Sequence, residues 1–93
     1  MYGKIIKELR IQRKMNQTQL AKILGVNQTA IGKYEREELD LNTSTLITLA
    51  VFFDVTTDYI LGLENEDGTR NTKFTSNLTF NGGNNNIIQT YNF

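Results

Sequence analysis

Three polar side chains in one short segment could recognise the edges of DNA bases. Gln28, Thr29 and Lys33 belong to the run NQTAIGKYER, which begins at Asn27, and on a helix they would share one face with Gly32. Glutamine can pair with adenine through two hydrogen bonds, lysine can donate to guanine, and the threonine methyl can contact thymine. A merely solvated helix face usually mixes Glu and Lys, so this polar stripe (Gln28, Thr29 and Lys33) favours a nucleic-acid contact.

The neighbouring residues predict two short helices joined by a tight turn. Leu20, Ala21 and Leu24 fall at i, i+1 and i+4 and form one helical apolar face. Gly25 can end that helix in a left-handed conformation, and the side chain of Asn27 can cap the next helix. A DNA-reading helix-turn-helix requires this arrangement. The alternative is an ordinary pair of antiparallel helices in a small helical protein.

At these residues the sequence resembles the phage repressor and Cro type helix-turn-helix family, often called the Xre family. The resemblance covers about two-thirds of the chain, roughly Ile5 to Leu63. The residues that carry it are Asn16-Gln17, Leu20-Ala21, Gly25-Val26, Ile31, Glu35, Leu46, Leu49-Ala50 and Asp58-Tyr59-Ile60-Leu61. The resemblance implies a bundle of five small helices in which the polar stripe faces base edges.

The same resemblance implies roles for residues outside the polar stripe. Gln17, at the start of the second helix, would bond a phosphate, and Arg10 would form an internal ion pair with Glu35. Cations near the helix-turn-helix would add phosphate contacts, because charge neutralisation supplies most of the affinity for the DNA backbone. The other predicted DNA contacts are Asn27, Lys14 and Arg36.

The chain departs from the family's pattern after the third helix. The family usually places a glycine and then a proline there, in a loop that runs close to the DNA backbone. This chain has Glu37 and Leu41 at those places and no proline anywhere. Glu37 and Glu38 beside a phosphate backbone would be repulsive, so the sequence leaves open whether this loop contacts DNA.

The formal net charge of zero conceals a separation of charge along the chain. Residues 1–36 carry eight cations and two acids, a balance of +6, whereas residues 37–68 carry eight acids and no cation. Arg70 and Lys73 restore the balance to zero. The basic block coincides with the predicted helix-turn-helix, where it would attract phosphates. The alternative is chance clustering on a solvated surface.

The composition argues against catalysis and against a membrane location. The chain has no cysteine and no histidine, so it lacks disulfides, the usual general base and the soft metal ligands. We therefore predict no enzymatic activity, no metal and no cofactor. No segment approaches the roughly 20 apolar residues that span a bilayer, and the charged N-terminus does not have the pattern of a signal peptide. The expected location is the cytoplasm.

Apolar spacing and capping residues predict the remaining helices. The first would run over about residues 3–14. Asn16 would cap the second helix, with Gln19 completing a capping-box-like pair. The fourth would start after residue 42 or 43 and run through residue 53, and the fifth would start after residue 56 or 57 and end at residue 62.

The composition changes after residue 63. Residues 64–73, ENEDGTRNTK, are polar and predict a linker. Residues 74–93 alternate in two runs around an Asn/Gly-rich turn, which predicts a β-hairpin; the alternative is a disordered Asn-rich tail. Because a lone hairpin is marginal in water, we expect tails from two or more chains to pair. The predicted oligomerisation residues are Phe74, Leu78, Phe80, Ile87, Tyr91 and Phe93.

The predicted fold is therefore mostly α: a five-helix, repressor-like helix-turn-helix bundle followed by a C-terminal β-hairpin tail. The DNA-binding domain would be residues 1–63, the linker residues 64–73 and the oligomerisation tail residues 74–93. A homodimer would place two recognition helices about 34 Å apart on an inverted repeat.

Two functions are compatible with this fold. The first is a sequence-specific double-stranded DNA-binding transcriptional regulator, a repressor that binds its operator as a homodimer or higher homo-oligomer. The second is an antitoxin- or antirepressor-like protein-interaction module, which the Glu37-Glu38 departure and additional apolar residues of the fourth helix (Ile47, Val51 and Phe52) would favour. The predicted partners are double-stranded DNA and further copies of the chain, and a protein antagonist is left open.

Overall fold

Five short helices make up the regular structure of residues 1–71, the part of the chain that the computed structural model describes. They are α1 (Tyr2–Gln12), α2 (Gln17–Leu24), α3 (Gln28–Glu35), α4 (Thr43–Phe53) and α5 (Thr57–Ile60). This confirms the mostly helical, five-helix prediction. The hairpin and the oligomerisation residues predicted within residues 74–93 lie outside the described residues.

Polar caps start four of the five helices. The side chains of Asn16, Asn27, Asn42 and Thr56 each accept a hydrogen bond from a backbone N–H in the first turn of α2, α3, α4 and α5. Gln19 returns its side chain to the backbone N–H of Asn16 at 2.8 Å, which completes the predicted capping box. These caps satisfy N–H groups that a helix leaves unpaired at its start.

All five helices of the described region end in the same kind of turn. In each, the C-cap residue or the residue directly after it adopts a positive φ, and two backbone N–H groups return to carbonyls of the last turn. This is the Schellman arrangement, which normally favours glycine. The residues with positive φ are Lys14, Gly25, Glu37, Asp54 and Gly62. The turn at Lys14 ends α1 at Gln12, two residues before the predicted end.

The core receives one fully buried side chain from each helix. Ile6, Leu20, Ile31, Leu49 and Ile60 are all less than 2% exposed. Each lies on the apolar face of its own helix. The short helices are therefore stabilised by packing in a common core more than by their individual helix propensities. α3 therefore cannot shift without disturbing the packing of its neighbours.

The segment predicted as a linker has local structure over its described part. The backbone N–H of Asn65 donates to the carbonyl of Thr69 at 2.7 Å, and Glu64 and Arg70 form an antiparallel bridge. Asn71 donates its side-chain amide to the carbonyl of Gly62 at 2.8 Å. Residues 64–71 therefore fold back towards the end of α5. In the described region no helix is long and apolar enough to cross a membrane.

Gly3 allows the start of α1 to lie directly against the end of α3. A Cβ atom at Gly3 would overlap the carbonyl oxygen of Glu35 and would lie 2.9 Å from its carbonyl carbon. We expect Gly3→Ala to lower the free energy of unfolding by about 1–3 kcal/mol, because two backbones would have to separate. Urea unfolding measures this loss. Lys4→Ala, at the next and exposed position, is the control, and an unchanged midpoint for Gly3→Ala would refute the close approach.

Candidate nucleic-acid interface

α3 buries one face and exposes the polar stripe on the other. Ile31 is fully buried and Tyr34 is 4% exposed, so two apolar side chains fix the helix on the core. Gln28, Thr29 and Lys33 are all exposed. Their tips are therefore accessible to a partner while the backbone that carries them is held in place.

Gly32 does not belong to the exposed face, contrary to the sequence-based expectation. It is buried, and a Cβ atom placed on it would lie 3.0 Å from Nη1 of Arg36. The long side chain of Arg36 folds back towards the N-terminus of α3, as long side chains on helices usually do. The guanidinium group thus covers Gly32, which helical periodicity had placed on the same exposed face as the polar stripe.

The predicted contacts at the starts of the helices lie in different environments. Lys14 is exposed in the turn between α1 and α2. Asn27 is also exposed, but its Oδ1 atom accepts the N–H of Ala30 at 2.9 Å. The side-chain oxygen therefore belongs to the helix cap, and only its amide NH₂ group can donate to a phosphate. Gln17 is half-buried at the first position of α2.

The ion pair implied by the family resemblance is present and largely buried. Nε of Arg10 donates to Oε2 of Glu35 at 2.7 Å and Nη2 donates to Oε1 at 3.2 Å. The two side chains are 11% and 5% exposed. Nη1 of Arg10 also donates to the carbonyl of Met15 at 2.8 Å. The pair joins α1, the turn that follows it and the end of α3.

A series of side-chain contacts connects this ion pair with the polar stripe. Gln17 donates to Oε1 of Glu35 at 3.2 Å, and Gln28 lies within 3.5 Å of Oε1 of Gln17 as a weak donor. The hydroxyl of Thr18 approaches Oε1 of Gln28 at 3.4 Å. Gln28 therefore lies within weak hydrogen-bonding distance of two residues of α2. The sequence analysis did not identify Thr18 as a candidate site residue. Its position beside Gln17 in the first turn of α2 is the signal that could have identified it.

Glu37 bonds the start of α1 and does not extend freely from the loop after α3. Its Oε2 accepts the backbone N–H of Gly3 at 3.2 Å and contacts the amino group of Met1. α1 has no side-chain cap of its own, so this carboxylate interacts favourably with the positive end of the helix. Glu37 thereby has a contact that a glycine at this positive-φ position could not supply.

Glu38 pairs with Arg36, one of the predicted phosphate contacts. Nε of Arg36 donates to Oε2 at 2.9 Å and Nη2 donates to Oε1 at 3.3 Å. Hydrogen bonds from Arg36, followed by its charge, lower the pKa of Glu38 below its ordinary value. Periodicity could not reveal this pair, because residues two apart do not face each other on a helix. Both loop glutamates thus have intramolecular partners.

α4 exposes part of the apolar surface noted in its sequence. Ile47 is 51% exposed and Val51 is 76% exposed. Phe52 is half-buried instead, with its ring centroid 5.0 Å from that of Phe53. Arg13 lies over both rings, 5.2 Å from the Phe52 centroid and 5.5 Å from the Phe53 centroid. Arg13 is therefore a structural cation rather than a further candidate for a phosphate contact.

Known proteins share both the sequence pattern and the fold. A family model described as helix-turn-helix matches residues 6–60. The HTH-type transcriptional regulator ImmR of Bacillus subtilis (strain 168) is 34% identical over 79 residues, spanning 85% of this chain and 61% of ImmR. The control protein C.SmaI of Serratia marcescens is 38% identical over 66 residues, spanning 68% of this chain and 79% of C.SmaI.

A solved DNA complex gives the corresponding structural match. The P22 c2 repressor protein, in complex with synthetic operator 9T, superposes with a TM-score of 0.61 at 32% sequence identity. The superposition covers 64% of this chain and 91% of that repressor chain. The alignment with ImmR leaves about two-fifths of that relative unmatched, since it spans 61% of its length. From the family match and these relatives, the chain belongs to the helix-turn-helix family.

Proposed function

We propose that this chain is a sequence-specific double-stranded DNA-binding transcriptional regulator that acts as a repressor and carries out no enzymatic reaction. The observation that carries the proposal is the exposed polar stripe on α3, a helix anchored to the core by Ile31 and Tyr34. A rigid helix with amide, methyl and ammonium groups on its outer face suits the major groove. The match to a repressor solved with its operator supports this choice of ligand.

In this proposal, bases and phosphates are contacted by different residues. Gln28, Thr29 and Lys33 recognise base edges, and Gln17 and Thr18 orient the Gln28 amide through the contacts described above. The phosphate contacts come from the edges of the helix-turn-helix. They are Gln17 at the start of α2, Asn27, Lys14 and Arg36. Such contacts fix the register of α3 in the groove but carry no sequence information themselves.

Binding as a homodimer completes the proposed mode of action. One short helix reads few base pairs, and two-fold pairing doubles the recognised sequence on an inverted repeat. Residues 74–93, which lie outside the described residues, are the proposed pairing segment. The molecular mass in solution of the full chain, compared with a version ending at Asn71, tests this assignment. That truncation removes only residues outside the described region, and unchanged assembly after it would contradict the role of the tail.

Two substitutions separate base reading from phosphate binding. Gln28→Ala should cost about 1–3 kcal/mol of binding free energy and relax the preference at one base position. Lys14→Ala should weaken binding to all sequences alike and reduce the slope of log K against log salt by about 0.9. Affinities for a selected duplex and its single-base-pair variants, measured at several salt concentrations, give both results. Gln12→Ala, another exposed glutamine, is the control; an equal loss on every duplex for Gln28→Ala would refute base reading.

One observation favours the second candidate function, a protein-interaction module of the antitoxin or antirepressor type. The exposed Ile47 and Val51 give α4 an apolar surface that the described core does not cover. The Glu37-Glu38 departure no longer favours this function, because both carboxylates have intramolecular partners. Affinity for duplex DNA that falls steeply with salt supports the regulator. Salt-insensitive binding to a protein, with no DNA retention, supports the module.

A further inference from the structure

We propose that Glu38 is a built-in competitor of DNA phosphate, which occupies the guanidinium group of Arg36 and so limits the affinity of the chain for duplex DNA. This inference rests on the proposed function, in which Arg36 contacts the DNA backbone. The chain would thus carry its own acidic substitute for one phosphate at the end of the proposed recognition helix.

The backbone fixes the position of Glu38 before any side-chain contact is considered. Its N–H donates to the carbonyl of Lys33 at 2.8 Å, and the N–H of Glu37 donates to the carbonyl of Tyr34 at 3.1 Å. These two hydrogen bonds form the Schellman turn that ends α3. The turn folds the chain back, so residue 38 returns to the side of residue 36. The pairing is therefore a consequence of how α3 ends.

The pair occupies the Nε–Nη2 edge of the guanidinium group, an edge that can also bind a phosphate through two hydrogen bonds. Two nitrogens of Arg36 donate to the two oxygens of Glu38, at 2.9 and 3.3 Å. Arginine binds carboxylates and phosphates through this same planar fork. The third guanidinium nitrogen, Nη1, is directed towards Gly32. A two-point contact with DNA through this Nε–Nη2 edge therefore requires Arg36 to exchange one anion for another.

The exposure of the pair makes that exchange feasible. The side chains of Arg36 and Glu38 are 58% and 54% exposed, and exposed ion pairs are weak. DNA can displace Glu38, but the displacement costs part of the affinity that Arg36 would otherwise supply. Glu37 cannot substitute as the competitor, because its carboxylate is bonded at the start of α1. The arrangement lowers affinity for every duplex, since a phosphate contact is independent of sequence.

The experiment is a double-mutant cycle on the full chain with two duplexes, one selected for binding and one scrambled. Glu38→Gln should raise affinity for both by about two- to fivefold, the range expected from breaking an exposed pair. The slope of log K against log salt should change by much less than the value of about 0.9 for an additional phosphate contact, because Arg36 contacts the phosphate in both proteins once DNA has displaced Glu38. In the Arg36→Gln background, Glu38→Gln should produce less than half of this gain. Asp40→Asn, which removes an equal charge two residues away, is the control and should also produce less than half of the gain.

The outcomes separate this inference from the proposed function. A gain of full size in the Arg36→Gln background, or for Asp40→Asn, would show general charge repulsion and overturn the competitor role. Weaker binding by Glu38→Gln would show that Glu38 orients Arg36 for its contact, which also overturns it. If the wild-type chain binds the selected duplex, either of these results overturns the competitor role but does not contradict the proposed function. A wild-type chain without salt-dependent affinity for duplex DNA would instead contradict the proposed function itself.

Discussion

Replacing Arg10 with methionine should lower the free energy of unfolding by about 3–5 kcal/mol, the cost of leaving a buried charge without its partner. Methionine retains the length of the side chain but supplies no donor. Glu35, 5% exposed, would keep, among residues 1–71, a single side-chain hydrogen bond, from Gln17 at 3.2 Å. The carbonyl of Met15 would also lose its donor from Arg10.

Chemical unfolding followed by circular dichroism measures this loss. Arg13→Met is the matched control, because Arg13 is an exposed arginine that contacts the two phenylalanine rings and donates one exposed hydrogen bond to the carbonyl of Phe52 at 3.3 Å. It should cost only about 0.5–1 kcal/mol. The double variant Arg10→Met with Glu35→Leu should recover most of the loss, because it removes the unpaired charge. An Arg10→Met variant as stable as the wild type would refute the structural importance of the pair.

Leu20→Ala is expected to lower the free energy of unfolding by about 2–5 kcal/mol, the usual range for truncating a buried leucine. Leu20 is 0% exposed and lies in α2, where it belongs to the same core cluster as Ile31 of α3. The cavity left by alanine would remove packing that holds the two helices of the candidate interface together. Affinity for duplex DNA should therefore fall when part of the population unfolds.

Val51→Ala is the matched control for this core truncation. Val51 is 76% exposed on α4, so its replacement should change stability by no more than about 0.5 kcal/mol. Thermal and urea unfolding of both variants give the comparison. Equal losses for the two substitutions would mean that Leu20 does not hold α2 in the core, and the packing described for the helix-turn-helix would be wrong.

The helix starts could be predicted from the sequence because their causes are local. Asn16 and Asn27 each cap a helix whose first turn follows directly, and Gln19 lies at the position that completes the capping box. The buried faces of α2 and α3 follow equally from spacing, because Leu20 and Ile31 lie on regular apolar faces. The exposure of the polar stripe follows from the same periodicity, because its residues occupy helix positions that do not face the core.

The chemistry of the loop after α3 could not be predicted because it depends on contacts between segments distant in sequence. Glu37 accepts a hydrogen bond from the backbone N–H of Gly3, which lies 34 residues away in the sequence. A pattern of neighbouring residues cannot indicate such a contact. The pairing of Arg36 with Glu38 depends on a Schellman turn with glutamate at the positive-φ position, where propensity favours glycine. Gly32 is buried beneath the folded-back side chain of Arg36, an effect that helical periodicity does not include.

Whether α3 reads DNA sequence is tested most directly by selecting duplexes that the full chain retains from a random pool. We expect one short motif to be enriched, and we expect its preference at one base position to relax when the selection is repeated with Gln28→Ala. Retention of duplexes without any enriched motif would mean that the polar stripe does not read bases. That result would contradict sequence-specific recognition by this helix.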